Sequence, residues 1–385
     1  MKTQTLGTNG PSLSRIGLGC MGMSGMYGAS DEAESIATIH AALDAGITLL
    51  DTGDFYGMGH NELLIRRALQ DAKREQVFLQ VKFGAQRDPR GQWIGYDTRP
   101  QAVKTALAYT LQRLGTDYLD LYQPARLDPN VPIEETIGAI GECVQAGWVR
   151  HIGLSEVGPK TIRRAHATHP ILALQIEYSL MSRGIEAEIL STVRELGIGL
   201  TVYGVLSRGL LSRSGGDAPS AQAGDFRTHS PRWQGENFER NVALVERLRA
   251  IGRERGATPV QLAIAWVLTR GDDIIPLLGA RTRKQLAESL GALDVKLSED
   301  DLRAIEEAMP PDAVAGAGGL GSLPCAMLTV DGMRAEIAAI KAHTDNGRSA
   351  WRDGVSKRAI GLALLAGTLL MLAVVLAARW SSNVS

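Results

Sequence analysis

The chain has 385 residues, of which 44% are hydrophobic and 22% charged, an ordinary balance for a globular protein. Its 41 basic and 42 acidic side chains give a net charge of −1, so the overall charge does not favour nucleic acid as a partner. The cysteines Cys20, Cys143 and Cys325 match no metal-ligand spacing, and no metal site is expected. The N-terminus lacks the apolar segment of a signal peptide. A reducing, cytoplasmic location without disulfides is expected.

Short apolar runs alternate with longer helical patterns over the first 310 residues. The opening TQTLGTNGPSLS contains Asn-Gly, which predicts a β-hairpin that closes the bottom of a barrel. Helical patterns such as 31–46 and 133–147 separate the strand candidates that follow. Those candidates span residues 15–19, 47–52, 77–82, 118–123, 149–155, 172–178, 198–204 and 273–279. Eight strands separated by helices predict an α/β fold, the parallel (β/α)8 TIM barrel.

Two segments interrupt this rhythm. Residues 208–238 are rich in Gly, Ser, Pro and Arg, which predicts a mobile loop near the mouth of the barrel. From 312 to 356 the periodic pattern ends, which predicts a linker. We therefore expect the barrel domain to occupy residues 1–311.

The C-terminal region contains a long apolar segment. Residues 359–378 are 20 residues without a charge, which as a helix would span roughly 30 Å, about the thickness of the bilayer core. With the flanking residues, 357–380 is interpreted as a transmembrane helix that anchors a cytoplasmic barrel by its tail. The alternatives are a buried core helix and a tail that comes from a fusion or a frameshift.

Polar side chains follow the second and third predicted barrel strands, at the rim where barrel enzymes collect their catalytic groups. Asp51 ends one strand, Tyr56 lies in the loop after it, and Lys82 ends the next strand. A tyrosine has a reference pKa near ~10, and a lysine ammonium held by an aspartate stabilises its phenolate. The three predict a general acid that protonates a carbonyl oxygen as hydride arrives at the carbon. A buried ion pair beside an ordinary loop aromatic is the alternative reading.

Six motifs carry a resemblance to a known family. They are GLGCMGMS (17–24), DTGDFYGMGHNE (51–62), GLSE (153–156), LQIEYS (174–179), YGVLSRGLL (203–211) and GARTRKQLAESL (279–290). On these motifs the chain resembles the aldo-keto reductases, NADPH-dependent barrel enzymes that reduce aldehydes and ketones. The resemblance covers roughly residues 1–310. It implies a small-molecule carbonyl substrate and makes Asp51, Tyr56 and Lys82 three of four catalytic residues, with Tyr56 as proton donor.

The resemblance also implies an NADPH site. It assigns Ser155 and Gln175 to the nicotinamide carboxamide and Tyr203 to stacking on the nicotinamide ring. The stretch from Gly204 to Leu211 would hold the pyrophosphate. The implied cofactor contacts are Gly19, Cys20, Met21, Ser155, Gln175, Tyr203, Gly204, Leu206, Ser207, Gly209, Leu211, Gly279, Arg281, Arg283, Gln285 and Ser289.

The last of these motifs also predicts a phosphate site from its residues. It follows the eighth strand and opens a helix, so its backbone N–H groups favour an anion. Arg281 and Arg283 add a fork for the 2′-phosphate that distinguishes NADPH from NADH; solvated arginines at a helix start are the alternative. The match of GLGCMG to the dinucleotide fingerprint is set aside, because no helix follows it at once.

The fourth catalytic residue of the family, a histidine followed by arginine, aligns with Ala125 in LDLYQPARLDP. We expect Gln123, Arg126 or a water to replace its hydrogen bond to the substrate carbonyl. The candidate substrate pocket comprises Tyr27, Trp93, Gln123, Ala125 and Arg126. The sequence leaves two functions open: a carbonyl reductase, or a cofactor-binding sensor with little turnover, of the kind found in the β subunits of voltage-gated potassium channels.

Overall fold

The structure, a computed structural model, describes residues 1–70, 73–212, 227 and 230–316. In chain order its strands are β1 (Thr3–Thr5), β2 (Ser12–Ser14), β3 (Gly17–Gly19), β4 (Leu49–Gly53), β5 (Phe78–Phe83), β6 (Ala85–Arg87), β7 (Trp93–Tyr96), β8 (Leu119–Pro124), β9 (Val149–Ser155), β10 (Ile171–Glu177), β11 (Gly199–Tyr203) and β12 (Ile274–Gly279). Strands β3, β4, β5, β8, β9, β10, β11 and β12 form a closed parallel barrel, in which β12 pairs with β3. Each overlaps one of the eight predicted strands, so the predicted TIM barrel is confirmed.

Helices follow the barrel strands and pack around them. They are α1 (Glu32–Asp44), α2 (His60–Ala68), α3 (Pro100–Leu114), α4 (Ile133–Gln145), α5 (Pro159–Thr168), α6 (Ile189–Glu195), α7 (Gly235–Arg255), α8 (Pro259–Leu268), α9 (Arg283–Leu290) and α10 (Glu299–Ala308). Local sequence sets several of their ends. Asp31 caps α1 by accepting a hydrogen bond from the Glu34 N–H, and Gly115 ends α3 in the left-handed conformation that glycine adopts without strain.

The inside of the barrel changes from apolar to polar along its axis. One buried cluster fills the lower part with apolar side chains, among them Leu49, Phe78, Leu121 and Ala173. Side chains alternate along a strand, so residues two positions further point the same way. Those residues are Asp51, Gln80, Gln123 and Gln175, and all are buried. The sequence therefore places a polar layer inside the barrel at the carboxyl ends of its strands.

Two hairpins lie outside the barrel sheet. β1 and β2 pair antiparallel, which confirms the predicted N-terminal hairpin. β6 and β7 form a second antiparallel hairpin in the connection after β5, which was not predicted. The Asp88 carboxylate holds its turn by accepting hydrogen bonds from the N–H groups of Arg90 and Gln92. This hairpin carries Trp93 to the mouth of the barrel.

The predicted loop over 208–238 is wrong at its C-terminal end. Pro231–Trp233 form a 3-10 turn and α7 begins at Gly235. Trp233 and Phe238 hold the turn and the start of α7 against the protein, because both side chains are buried and their ring centroids lie 5.8 Å apart. Residues 213–226, 228 and 229 lie outside the described residues.

The predicted linker and membrane segment lie largely beyond the part of the chain that the structure describes. Pro311–Ala313 form a 3-10 turn, and the described chain ends at residue 316. The predicted helix over 357–380, with its apolar run 359–378, therefore lies outside the described residues. Within the described ranges, every helix is too short or too polar to cross a bilayer.

Candidate active site

The carboxylate of Asp51 and the ammonium of Lys82 form a buried ion pair across β4 and β5. Lys82 Nζ lies 2.7 Å from both carboxylate oxygens. Burial lowers the pKa of Lys82, and the neighbouring carboxylate opposes that shift. Asp51 therefore neutralises the charge of Lys82, and the adjacent strands β4 and β5 fix the geometry of the pair.

Two amides and a hydroxyl support this ion pair from inside the barrel. Gln175 Nε2 donates to Asp51 Oδ1 at 2.6 Å, and Gln80 Nε2 donates to the same oxygen at 3.2 Å. Gln80 also donates to Thr201 Oγ1 at 3.0 Å. The sequence did not predict this network: the resemblance gave Gln175 to the cofactor, whereas in the structure its NH2 group serves Asp51. The inward period-2 alternation of β5 was the one signal for Gln80.

Tyr56 lies in the tight turn after β4. Gly57 and Met58 have positive φ values of 57° and 52°, which bend the chain sharply behind it. The Tyr56 ring is buried, and Lys82 Nζ lies 5.2 Å from its centroid. Burial, then the charge of Asp51, raises the pKa of Tyr56 well above its usual value, while Arg126 acts to lower it. The phenol therefore carries its proton at neutral pH, as a proton donor must.

The strand end where the family has its histidine contains two buried residues that do not line the cleft. Ala125 continues the strand, with its N–H donating to the Phe83 carbonyl at 2.8 Å. The Gln123 amide is buried against Gly153 and makes no hydrogen bond with the described residues. The lining of the cleft includes neither side chain, and the assignment of Gln123 and Ala125 to the substrate pocket stays a prediction.

Arg126 is the residue of this strand end that reaches the cleft. Its Nη1 donates to the Ala125 carbonyl at 2.6 Å and contacts Ser155 Oγ at 3.4 Å. Its Nη2 is buried and makes no hydrogen bond with any described residue. Burial acts to lower the pKa of Arg126, but Tyr203 and Glu156 outweigh it, and the net shift is upward. The guanidinium is thus a charged, half-satisfied donor at the cleft.

A single cleft at the mouth of the barrel joins these groups to most of the implied cofactor residues. The predicted site residues that line it are Gly19, Met21, Tyr27, Asp51, Tyr56, Lys82, Trp93, Arg126, Gln175, Tyr203, Gly204, Leu206, Gly209, Gly279, Arg281, Gln285 and Ser289. Lining residues that were not predicted include Met26, Phe55 and Glu288. Phe55 packs edge-on against Tyr56, with centroids 4.8 Å apart, and against Trp93 at 5.6 Å.

Five of the implied cofactor residues do not line this cleft in the structure: Cys20, Ser155, Ser207, Leu211 and Arg283. Cys20 is fully buried and its thiol points to the Leu18 carbonyl at 3.8 Å. Leu211 belongs to the hydrophobic core. The Ser207 hydroxyl is buried and makes no hydrogen bond with the described residues, so it remains available to a ligand that reaches it.

The turn after β11 is strained and held by charge. Ser207 and Arg208 have positive φ values of 48° and 58°, which side chains other than glycine rarely adopt. Arg208 Nη2 lies 3.2 Å from the Glu177 carboxylate, which also lies 3.6 Å from Arg232. These ion pairs link the turn to β10 and to the segment before α7. They stabilise the strained positive-φ conformation of Ser207 and Arg208.

The start of α9 forms the far end of the cleft. Thr282 caps the helix by accepting a hydrogen bond from the Gln285 N–H. Arg281 lies over the cleft, where its Nη1 donates to the Tyr27 carbonyl at 3.2 Å. Arg283 is exposed and pairs with the Glu34 carboxylate of α1 at 2.9 Å. The predicted two-arginine fork is therefore divided, with one arginine over the cleft and the other tied to α1.

Comparison with known proteins identifies the family of this site. Residues 15–310 match the sequence profile described as the Aldo/keto reductase family. The chain belongs to the aldo-keto reductase family. The match spans the whole barrel, from the start of β3 to the end of α10, and includes Asp51, Tyr56 and Lys82.

Individual relatives agree with this assignment. The chain is 45% identical over 313 residues to Probable aldo-keto reductase 1 of Glycine max, a match covering 81% of this chain and 90% of the relative. It is 41% identical over 306 residues to an aldo-keto reductase of Schizosaccharomyces pombe whose name specifies NADP(+), covering 78% and 90%.

Solved structures show the same fold. A glycerol dehydrogenase from Gluconobacter oxydans superposes with a TM-score of 0.72 at 29% identity, covering 80% of this chain and 96% of that one. An aldo-keto reductase from Bacillus halodurans gives a TM-score of 0.66 at 27% identity, covering 81% and 97%.

Proposed function

We propose that this aldo-keto reductase reduces aldehydes and ketones to alcohols with NADPH, and that Tyr56 donates the proton. The observation that carries the proposal is the convergence of three groups at one cleft. Lys82 lies 2.7 Å from both oxygens of Asp51 and 5.2 Å from the centroid of the Tyr56 ring. A buried cation between a carboxylate and a phenol is the arrangement that supports a tyrosine as general acid.

The cleft suits a dinucleotide. A side chain at Gly279 would project into open space within it, so the backbone there can be approached closely. Gly204 and Gly209 line the strained turn after β11, and the unpartnered Ser207 hydroxyl lies in the same turn. The N-terminus of α9, with Arg281, Gln285 and Ser289 at the cleft, favours an anion. We assign the pyrophosphate to the turn after β11 and the adenosine 2′-phosphate to the N-terminus of α9.

NADPH supplies the hydride when it is bound, and the chain's own residues manage the proton. Tyr56 holds its proton at neutral pH and releases it to the carbonyl oxygen as negative charge develops there. Lys82 stabilises the phenolate that remains, and Asp51 keeps the ammonium in place. Tyr203 is proposed to stack on the nicotinamide. Ser155 and the Gln175 carbonyl oxygen are proposed to hold the carboxamide.

The sensor function that the sequence left open gains no support from the comparisons. The relatives bear the names of reductases or of a dehydrogenase. The described residues also keep the proton donor and both of its supports together, which a module that only binds cofactor does not require.

Steady-state kinetics test the proposal. The full-length protein is expected to consume NADPH with small aromatic and aliphatic aldehydes. Tyr56→Phe should lower kcat about 100- to 10,000-fold, the usual contribution of a positioned acid, while NADPH binding measured by fluorescence changes less than about twofold. Tight NADPH binding without turnover on any aldehyde would support the sensor instead.

We also propose that residues 357–380 anchor the protein to a membrane, with the barrel of residues 1–311 on the cytoplasmic side and residues 312–356 as linker. The support is the uncharged run 359–378 in the sequence. Cell fractionation tests it: the full chain should sediment with membranes, and a chain truncated at 312 should not. Equal distribution of the two would contradict an anchor.

A further inference from the structure

We propose that Arg126 binds a carboxylate of the substrate, so that the preferred substrates are 2-oxo acids, in which the carboxylate adjoins the reacting carbonyl. The inference rests on the proposed carbonyl reduction and adds its substrate class. In the reaction, hydride passes from NADPH to the ketone carbon and the proton of Tyr56 passes to the ketone oxygen. The carboxylate is unchanged, and the products are a 2-hydroxy acid and NADP(+).

The first support is the direction in which the Arg126 guanidinium is held. Its Nη1 is fixed by the Ala125 carbonyl at 2.6 Å and by Ser155 Oγ at 3.4 Å. Its Nη2 is buried and makes no hydrogen bond with the described residues, although the side chain lines the cleft. The Tyr203 hydroxyl, also buried, likewise makes no hydrogen bond with them. Tyr203 is near enough to raise the pKa of Arg126, yet neither Arg126 Nη2 nor the Tyr203 hydroxyl has a described partner in hydrogen-bond geometry, and this indicates where ligand oxygens bind.

The second support is charge. Three cations near this end of the barrel have carboxylates within 4 Å among the described residues: Lys82 has Asp51, while Arg208 and Arg232 share Glu177. Arg126 has no ion pair with any described carboxylate; Glu156 influences its pKa but lies outside ion-pair distance. A half-buried cation that has no ion pair remains able to attract an anion. A neutral carbonyl oxygen fills one hydrogen bond, whereas a carboxylate supplies both the acceptors and the opposite charge.

The third support is the position of Arg126 at the same cleft as the proton donor. Arg126 and Tyr56 both line it, and the charge of Arg126 acts to lower the pKa of Tyr56, although burial keeps that pKa well above its usual value. Because Arg126 and Tyr56 line one cleft, we expect a carboxylate bound by Arg126 to adjoin the carbonyl that Tyr56 protonates. Phe55 and Trp93 form an aromatic wall opposite, so an aromatic 2-oxo acid such as phenylglyoxylate is a suitable probe.

A matched pair of substrates tests the inference: phenylglyoxylate and its neutral methyl ester, with saturating NADPH and the full-length protein. Arg126→Met should lower kcat/KM for the acid on the order of 100-fold, the range of a lost charge-assisted hydrogen bond, and change that for the ester less than about threefold. Arg126→Lys should recover part of the loss for the acid. Arg150→Met is the control, because it removes an exposed arginine from the opposite end of the barrel.

Each result bears on Arg126 in a defined way. Equal losses for acid and ester would overturn the inference, since Arg126 would then act on the reacting carbonyl itself; no loss for either would overturn it too. If the wild type reduces neither compound, the proposed function fails, and calorimetric titration with mandelate decides about Arg126 separately. Mandelate binding that disappears in Arg126→Met supports the carboxylate site, and unchanged binding overturns it. Arg126→Gln replaces Arg126→Met if the latter does not fold.

Discussion

Two cations line the same cleft, the buried Lys82 and the half-buried Arg126, and they differ in their partners. Lys82 is bound by both oxygens of Asp51 at 2.7 Å, and that carboxylate is itself held by Gln175. Arg126 has one nitrogen engaged and another without a hydrogen bond among the described residues. Lys82, which has Asp51 as its counter-ion, is suited to stabilise the phenolate of Tyr56. A cation without one is suited to a ligand. Substitutions that disturb the two should therefore differ in stability as well as in activity.

The largest expected effect on stability and activity is that of replacing Lys82. Lys82→Met leaves the Asp51 carboxylate buried without a cation, which should lower the free energy of unfolding by about 3–5 kcal/mol and abolish measurable turnover. In the double variant Lys82→Met/Asp51→Asn the buried charge is gone, so most of the stability should return while turnover does not. Urea unfolding of the three proteins measures this. Equal stability of the single and double variants would contradict a paired charge.

Asp54 provides a third buried charge for comparison. Burial, and then the neighbouring Glu62, raises the pKa of Asp54 to about 7. Because the folded pKa lies above that of the unfolded chain, its contribution to stability is present at low pH and is lost as the pH rises through about 7. Asp54→Asn should therefore add about 2 kcal/mol to the free energy of unfolding near pH 8 and almost nothing near pH 4. An equal gain at both pH values would show that charge is not the cause.

The same logic predicts a small effect of Arg126 on stability. Arg126→Met removes a half-buried cation with one short hydrogen bond and no ion pair among the described residues, so the free energy of unfolding should change by no more than about 1 kcal/mol. The thermal midpoint of the protein without ligand measures it. A loss of about 3 kcal/mol or more, as expected for Lys82→Met, would mean that Arg126 already has a partner in the free protein.

The smallest effect is expected at the exposed pair Arg283–Glu34. Glu34→Gln releases Arg283 toward a 2′-phosphate at the start of α9, which should lower KM for NADPH by about two- to threefold and leave that for NADH unchanged. The ratio of the two KM values measures it. An equal change in KM for NADPH and NADH would show that the substitution does not act through the 2′-phosphate.

Local patterns in the sequence were enough to predict the barrel and the meeting of Asp51, Tyr56 and Lys82 at its mouth. Eight apolar runs separated by helical periods specify the fold, and the rule that barrel sites lie at strand ends brings Asp51 and Lys82 together. The partners of these side chains follow from tertiary packing instead. Arg283 is bound by a glutamate 249 residues earlier in the chain, and the Gln175 NH2 group by Asp51, 124 residues away. No local pattern predicts such pairs.

The same limit applies to the substrate side of the cleft. The sequence left Gln123, Arg126 and water as equal replacements for the missing histidine. The alternation of β8 directs Gln123 into the barrel interior, where it does not line the cleft, while Arg126 follows the strand end and lines it. Trp93 arrives on a hairpin that the sequence analysis did not foresee, because its turn depends on the Asp88 side chain rather than on an Asn-Gly pair.

The most direct test of the account follows the hydride. Protein is given NADPH that carries deuterium at C4 of the nicotinamide, together with a carbonyl panel that includes phenylglyoxylate, and the alcohol products are examined by mass spectrometry. The account predicts deuterium on the carbinol carbon with the wild type and almost none with Tyr56→Phe, although both bind NADPH. Bound NADPH with no labelled alcohol from any member of the panel would contradict it.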